Sequence, residues 1–190
     1  ARAEALLDEL LWPDQVLGRD VGGTEESVMA LAPHSFGEYM ARQYSPQNIV
    51  VSVAGDITHH DVVKAIDYLL GDWTPSETLD WYPEINVQTA PRLRVEGRKT
   101  DQAHLFLAVK GVSATSPDRY PLDLLSTILG EGMSSRLFLE LRERQALVYD
   151  VHSFPTHLRD CGALSIYAGV DPRRATQALE TIIQELQRDQ

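Results

Sequence analysis

Two side chains in the last third of the sequence, Arg142 and Tyr149, have the types and the spacing to work on a carbonyl group. A guanidinium offers a fixed fork of N–H donors and a phenol a single O–H donor, so both can reach the oxygen of a bound peptide. They stand seven residues apart, two turns along one face of a continuous helix, although Tyr149 can equally open the strand that follows. A structural reading of the same residues is equally complete. Arg142 lies among Glu140, Glu143 and Arg144 on what could be a solvated helix face, and Tyr149 could fill core from a strand. Residue type and spacing leave both readings open.

The histidines offer less. There are six, His34, His59, His60, His104, His152 and His157. Asp150 and His152 would share one face of a strand, and His157 would have to fold back to make a three-ligand metal site. Histidines near turns are more often solvated or bonded to backbone. His59 and His60 point to different sides of a helix N-terminus and read as surface residues. Gly130-Glu131-Gly132 before a helix has the outline of a phosphate cradle, but Glu131 would repel the anion and no G-x-x-x-x-G-K-[ST] pattern exists. Cys161 is the only cysteine, which excludes an internal disulfide and a thiolate metal cluster. In the apolar run Cys161-Gly162-Ala163-Leu164-Ser165-Ile166 it reads as a small buried hydrophobe in a strand.

The elements that must position Arg142 and Tyr149 follow from periodicity. A glycine pair, Gly130 and Gly132, reads as a flexible loop. Ser134 and Ser135 can cap the helix-forming run after it, and Val148-Tyr149 marks the change to a strand. Strands are expected around 148–155 and 163–170, joined by a polar turn near Asp160, with Asp171 capping a last helix and Pro172 at its first position. Ahead of this lie a helix over 117–129 and strands over 93–96 and 103–109. In the first half, Leu6, Leu7, Leu10 and Leu11 mark a helix over 1–12 that Pro13 stops, the end of a longer one. Thr24 and Thr58 are expected N-caps, and Pro33 opens a helix through Arg42. The apolar run 49–54 reads as a buried strand. Residues 72–91, rich in proline, tryptophan and acids without periodicity, read as a packed-down linker. The fold class is α+β, with helices packed on antiparallel sheets.

Composition excludes several functions. A formal net charge of −11 and a pI near 4.9 leave no basic stripe for nucleic acid, so none is expected as a partner. A membrane surface is disfavoured by the same charge. No apolar run approaches the roughly 18 residues a spanning helix needs. A hydrophobic content of 43% and a charged content of 24% fit an ordinary soluble protein.

Three segments also resemble one family in order. Gly130-Glu131-Gly132-Met133-Ser134-Ser135-Arg136-Leu137-Phe138, continuing through Glu140-Leu141-Arg142-Glu143 to Leu147 and Tyr149, resembles the G-x-G-M-S-S-R-L-F-x-E-L-R-E-x-x-x-L-x-Y segment of the pitrilysin, insulin-degrading enzyme and mitochondrial processing peptidase family of zinc metallopeptidases. Leu17-Gly18-Arg19, with Gly23 and Glu26-Ser27-Val28, resembles its L-G-R-x-x-x-G-x-x-E-S-I segment. Tyr44-Ser45-Pro46-Gln47-Asn48, followed by an apolar run and Gly55-Asp56, resembles its Y-x-P-x-N, strand, G-D run. Glu131, where relatives often carry another glycine, is a departure.

The resemblance implies a peptide-degrading or peptide-processing zinc endopeptidase in which Arg142 binds substrate backbone and Tyr149 is catalytic, stabilising the oxyanion of the tetrahedral intermediate. It implies residues 1–73 as the C-terminal part of one peptidase domain, a linker over 74–91, and residues 92–190 as the N-terminal part of a second. The family's H-x-x-E-H zinc motif is absent from the sequence. The expectation is therefore an internal piece of a longer chain, inactive by itself. Zinc belongs to the parent, and the partners are peptide substrates and the remaining part of the parent chain or a partner subunit. A soluble location in a bacterial cytoplasm or cell envelope is expected. A non-catalytic family paralogue acting as partner or scaffold subunit, or an unrelated α+β interaction domain, are the alternatives. Since no protein ligand set is expected in this piece, the purified chain should hold no stoichiometric zinc. Metal analysis of chelator-free material checks this, and one tightly held zinc per chain would instead point to Asp150, His152 and His157.

Overall fold

A computed structural model describes residues 2–75, 80–86 and 88–188. Position 1 of the first expected helix and positions 76–79 and 87 of the expected linker lie outside the described residues. The chain forms two compact units, one gathering Ala1–Val21 with Pro83–Gln190 and the other Gly22–Tyr82.

The larger unit is built on an antiparallel sheet in the order β1-β3-β2, with β1 at Ala103–Lys110, β2 at Val148–His157 and β3 at Gly162–Val170. The central strand, Gly-Ala-Leu-Ser-Ile-Tyr-Ala-Gly-Val, is apolar or small almost throughout and is buried on both faces, as a covered strand requires. Register pairs Leu107 and Ser153 with Ile166, and Phe106 and His152 with Tyr167. One sheet face, with Val151, Leu164, Ile166, Ala168 and Val170, forms the main core. Against it pack Leu129 of α5 (Arg119–Gly130), Leu137 and Leu141 of the segment after it, and Ala178 and Ile182 of α6 (Ala175–Gln187). Leu137, Leu141 and Ile182 are fully buried, each worth roughly 1.5–3 kcal/mol of transfer free energy. The opposite face, with Phe106, Ala108 and Ala163, is covered by Leu7, Leu11 and Trp12 at the end of the first helix, α1 (Arg2–Leu11).

The smaller unit carries α2 (Glu25–Met29), α3 (Pro33–Gln43) and α4 (His59–Leu70). The expected caps are in place. Thr24 Oγ1 accepts from the Ser27 backbone N–H at 3.1 Å, and Thr58 Oγ1 from that of Asp61 at 3.2 Å. No side chain of these three helices is buried. A groove of about 680 Å³ runs between α4 and the apolar side chains Ile49, Val51 and Val53.

Three sequence expectations need correction. Residues 49–54 are not a buried strand: they run as extended coil with Val50 94% exposed. Residues 93–96 likewise form no strand, and Leu93 and Val95 are exposed. Both segments have strand-like side chains, but a strand exists only through a ladder, and no described neighbour supplies one. Cys161 lies one residue ahead of β3, half-buried beside Leu158 and the α1 cluster. Burial, and then the nearby Asp160 carboxylate, push its thiol up to about 11. Among the described residues, no helix is long and apolar enough to cross a membrane.

His157 fastens the far end of β2 to α5. Its Nδ1 lies 2.8 Å from the Val112 carbonyl oxygen and its Nε2 2.9 Å from Asp123 Oδ1. Both partners accept, so only the doubly protonated ring satisfies both. The Val112 bond first, and then Asp123, raise the pKa above the ordinary 6.5, against partial burial and the charge of Arg119. A raised folded-state value means that this stabilisation is complete below the ordinary value and is lost as pH rises through the raised one. The gap in melting temperature between the native chain and His157→Ala should therefore be widest below pH 6.5 and narrow toward alkaline pH. A gap that is flat or widens with pH would refute the charged clasp.

Candidate functional site

The segment that carries Arg142 is pinned at its start. Ser135 Oγ donates to the Gly132 carbonyl at 2.8 Å and closes the turn before the helix. The Arg136 guanidinium then reaches α6, donating at 3.0 Å to the carboxylate of the buried Glu185 and at 2.8 Å to its backbone carbonyl. The helix that follows is a π-helix over Phe138–Arg144, a rare geometry that recurs at functional sites. Leu141 faces the core, and Arg142 faces outward. The Arg142 guanidinium lies 5.2 Å from the centre of the Phe138 ring and has no carboxylate partner among the described residues. Its neighbour Glu140 is engaged elsewhere, by Gln145 at 2.9 Å and Arg144 at 2.8 Å, which hold its carboxyl below the usual range.

The chain turns from the π-helix into β2 at Ala146, which takes a left-handed φ of 48°. The Leu147 N–H reaches back to the Leu141 carbonyl at 2.7 Å, and Arg174 Nη1 donates to the Ala146 carbonyl at 2.8 Å. Tyr149 follows on β2 and not on a continued helix. Val148 pairs with Val170 and Asp150 with Gly169, so Tyr149 is the extra residue of a bulge, a device that re-aims a side chain. It is 53% exposed, and its hydroxyl has no hydrogen-bond partner among the described residues. Arg173 is close enough that the Tyr149 phenol adds, after Asp171, to the rise of its pKa. Asp171 in turn is held down at about 2, chiefly by the Arg173 side chain.

The other candidates are dispersed. His152 Nδ1 lies 3.6 Å from Asp150 Oδ2 on β2, but His157 is at the opposite end of that strand in its own clasp. Among the described residues, no three His, Cys, Asp or Glu side chains gather where they could hold a metal ion. The described residues do not fit a zinc site. His59 and His60 are exposed at the start of α4. Sequence reasoning missed a cluster in which His104 Nδ1 meets the Tyr167 hydroxyl at 2.9 Å while His152 packs against the Tyr167 ring at 5.0 Å. Alternation along the three strands was the available signal, but only their register brings these residues to one face. Arg136 and Arg174 were likewise missed, because their partners lie 49 and 28 residues away.

Residues 33–188 match the family model described as the peptidase M16 inactive domain. The chain belongs to the peptidase M16 family. It is 34% identical over 187 residues to an uncharacterized zinc protease of Streptomyces coelicolor, covering 95% of this chain and 41% of that protein. It is 33% identical over 183 residues to one of Bacillus subtilis, covering 95% and 44%. This M16 chain thus spans about two-fifths of the length of the curated relatives it matches. Its fold is that of a peptidase M16 inactive domain from Pseudomonas fluorescens, with TM-score 0.82, 21% identity, and 95% of this chain and 44% of that one covered. It is also that of a chain in complex III2 from Candida albicans, with TM-score 0.74, 19% identity, and 90% and 42% covered.

The two glycines before the π-helix have different roles in this M16 fold. Gly132 has φ 83° with open space around it, whereas Gly130 is buried where a Cβ would overlap the Ser153 backbone and side chain. Gly130 is therefore a close contact between α5 and β2 and not a flexible hinge. Gly130→Ala should cost about 3 kcal/mol by overpacking. Gly132→Ala should cost about 1 kcal/mol through its backbone alone. Thermal unfolding of the two variants checks the order, and equal losses would contradict it.

Proposed function

We propose that this chain is the substrate-positioning part of an M16 zinc metalloendopeptidase that degrades or processes peptides. The observation that carries the reading is the pair of unspent donors. In a chain of net charge −11, Arg142 has no carboxylate partner and the Tyr149 hydroxyl no acceptor among the described residues, and a bulge turns Tyr149 outward. Leaving a guanidinium unpaired beside Glu140 and Glu143 makes sense where a carbonyl is to arrive. In this reading Arg142 grips substrate backbone. Tyr149 donates to the oxygen that becomes anionic when the scissile carbonyl turns tetrahedral.

Zinc and the water-activating base come from the remaining part of the parent or from a partner subunit, since the described residues gather no ligand set. The chain alone is then inactive. Residues 1–73 and 92–190 are read as parts of successive peptidase-type domains joined over 74–91, although the first 21 residues pack within the larger compact unit. A second reading, a non-catalytic partner or scaffold subunit, draws on the family model's description as an inactive domain. The free donors favour a part that completes an active site.

An oxyanion donor acts more strongly in the transition state than on bound substrate, so its loss falls on kcat. Losing one such donor costs roughly 2.7–4 kcal/mol in other enzymes, so Tyr149→Phe in the zinc-loaded, assembled peptidase should slow turnover about a hundredfold or more. Arg142→Ala, which removes a grip present in ground and transition states alike, should raise KM as well as lower kcat. Kinetics on a quenched-fluorescence peptide, with zinc content and melting temperature as controls, separates the roles. Near-normal turnover by a folded, zinc-loaded Tyr149→Phe enzyme would return Tyr149 to structural packing.

A further inference from the structure

The joint between the π-helix and β2 turns on an alanine in a conformation that suits glycine. A Cβ in the left-handed region crowds the following carbonyl, so Ala146 keeps φ 48° only while its neighbours hold it there. Two holds are local: Gln145 N–H to the Glu140 carbonyl at 3.1 Å and Leu147 N–H to the Leu141 carbonyl at 2.7 Å. The third comes from 28 residues away, where Arg174 Nη1 donates to the Ala146 carbonyl at 2.8 Å.

The arm that delivers Arg174 is itself braced. It leaves the end of β3, whose Val170 pairs with Val148 directly ahead of Tyr149. The Asp171 carboxylate accepts from the Arg173 backbone N–H at 2.9 Å and from its guanidinium at 2.7 Å, and the Arg174 N–H donates to the Asp171 carbonyl at 2.8 Å. Arg142 lies four residues before Ala146 and Tyr149 three after it. Any rotation at Ala146 therefore swings one donor relative to the other.

We infer that Arg174 is a positioning residue for the Arg142 and Tyr149 pair, holding the Ala146 carbonyl so that the Tyr149 hydroxyl stays in register with the backbone that Arg142 grips. The inference rests on the function proposed above. Arg174 itself touches no substrate.

The test is a double-mutant cycle in the zinc-loaded, assembled peptidase. Arg174→Ala should lower kcat about tenfold or more, because a small misplacement of a reacting group is costly, while KM moves less. Arg174→Lys, which keeps a donor and a charge, should recover part of the loss. Added to Tyr149→Phe, Arg174→Ala should slow turnover by no more than about twofold further, because the group it positions is already gone. A merely structural role would lower the melting temperature and act equally in both backgrounds. If Tyr149→Phe is slow while Arg174→Ala is near normal, or if the two losses multiply, the positioning role is overturned and the oxyanion role stands. If Tyr149→Phe turns over normally, the oxyanion role falls and the positioning role with it.

Discussion

The larger unit depends on the burial of β3. A strand covered on both faces cannot leave backbone donors or acceptors to water, so it must be paired on both sides. β1 and β2 meet that demand. They in turn set the layers: the leucines of α5, the π-helix and α6 on one face, and Leu7, Leu11 and Trp12 on the other. Each partner strand keeps one edge open among the described residues. Tyr149 stands on the open strand β2, at the point where the ladder slips by one residue.

Charge then separates the paired arginines around the site from Arg142. Arg136 meets Glu185, Arg144 meets Glu140, Arg173 meets Asp171, and Arg174 meets a backbone carbonyl. The exposed pairs, Arg144 with Glu140 and Arg173 with Asp171, contribute order more than stability, whereas the carboxylate that Arg136 meets is buried. Their effect on the site is indirect. Arg144 and Gln145 occupy the Glu140 carboxylate, and Arg142 rests against the face of Phe138.

Much of this was legible in the residues. Helix periodicity and the caps at Thr24 and Thr58 placed most helices, and the apolar run of β3 announced a covered strand, whereas Asp171 caps only the 3-10 turn Pro172–Arg174 ahead of α6. The Arg142 and Tyr149 spacing was visible, but its meaning came from a resemblance. What escaped depends on long-range partners. Leu137 and Leu141, four apart, fit an α-helix as well as the π-helix, so the extra residue in the turn left no mark. The bulge at Tyr149 is set by pairing with Val170 and Gly169, and the tightness at Gly130 by Ser153. Residues 49–54 and 93–96 show the opposite failure, in which strand-like composition promises a ladder that needs a second segment.

The smaller unit adds a thermodynamic consequence. Its three helices bury no side chain, and Val50, Val51 and Val53 stay in contact with water. The heat capacity of unfolding comes mainly from apolar surface newly wetted, about 0.45 cal/mol/K for each Å². A segment whose apolar groups are already half wet has less left to expose. A calorimeter would therefore see the sheet unit dominate the melt, and residues 22–82 would add length to the chain without adding proportionately to the curvature of its stability with temperature.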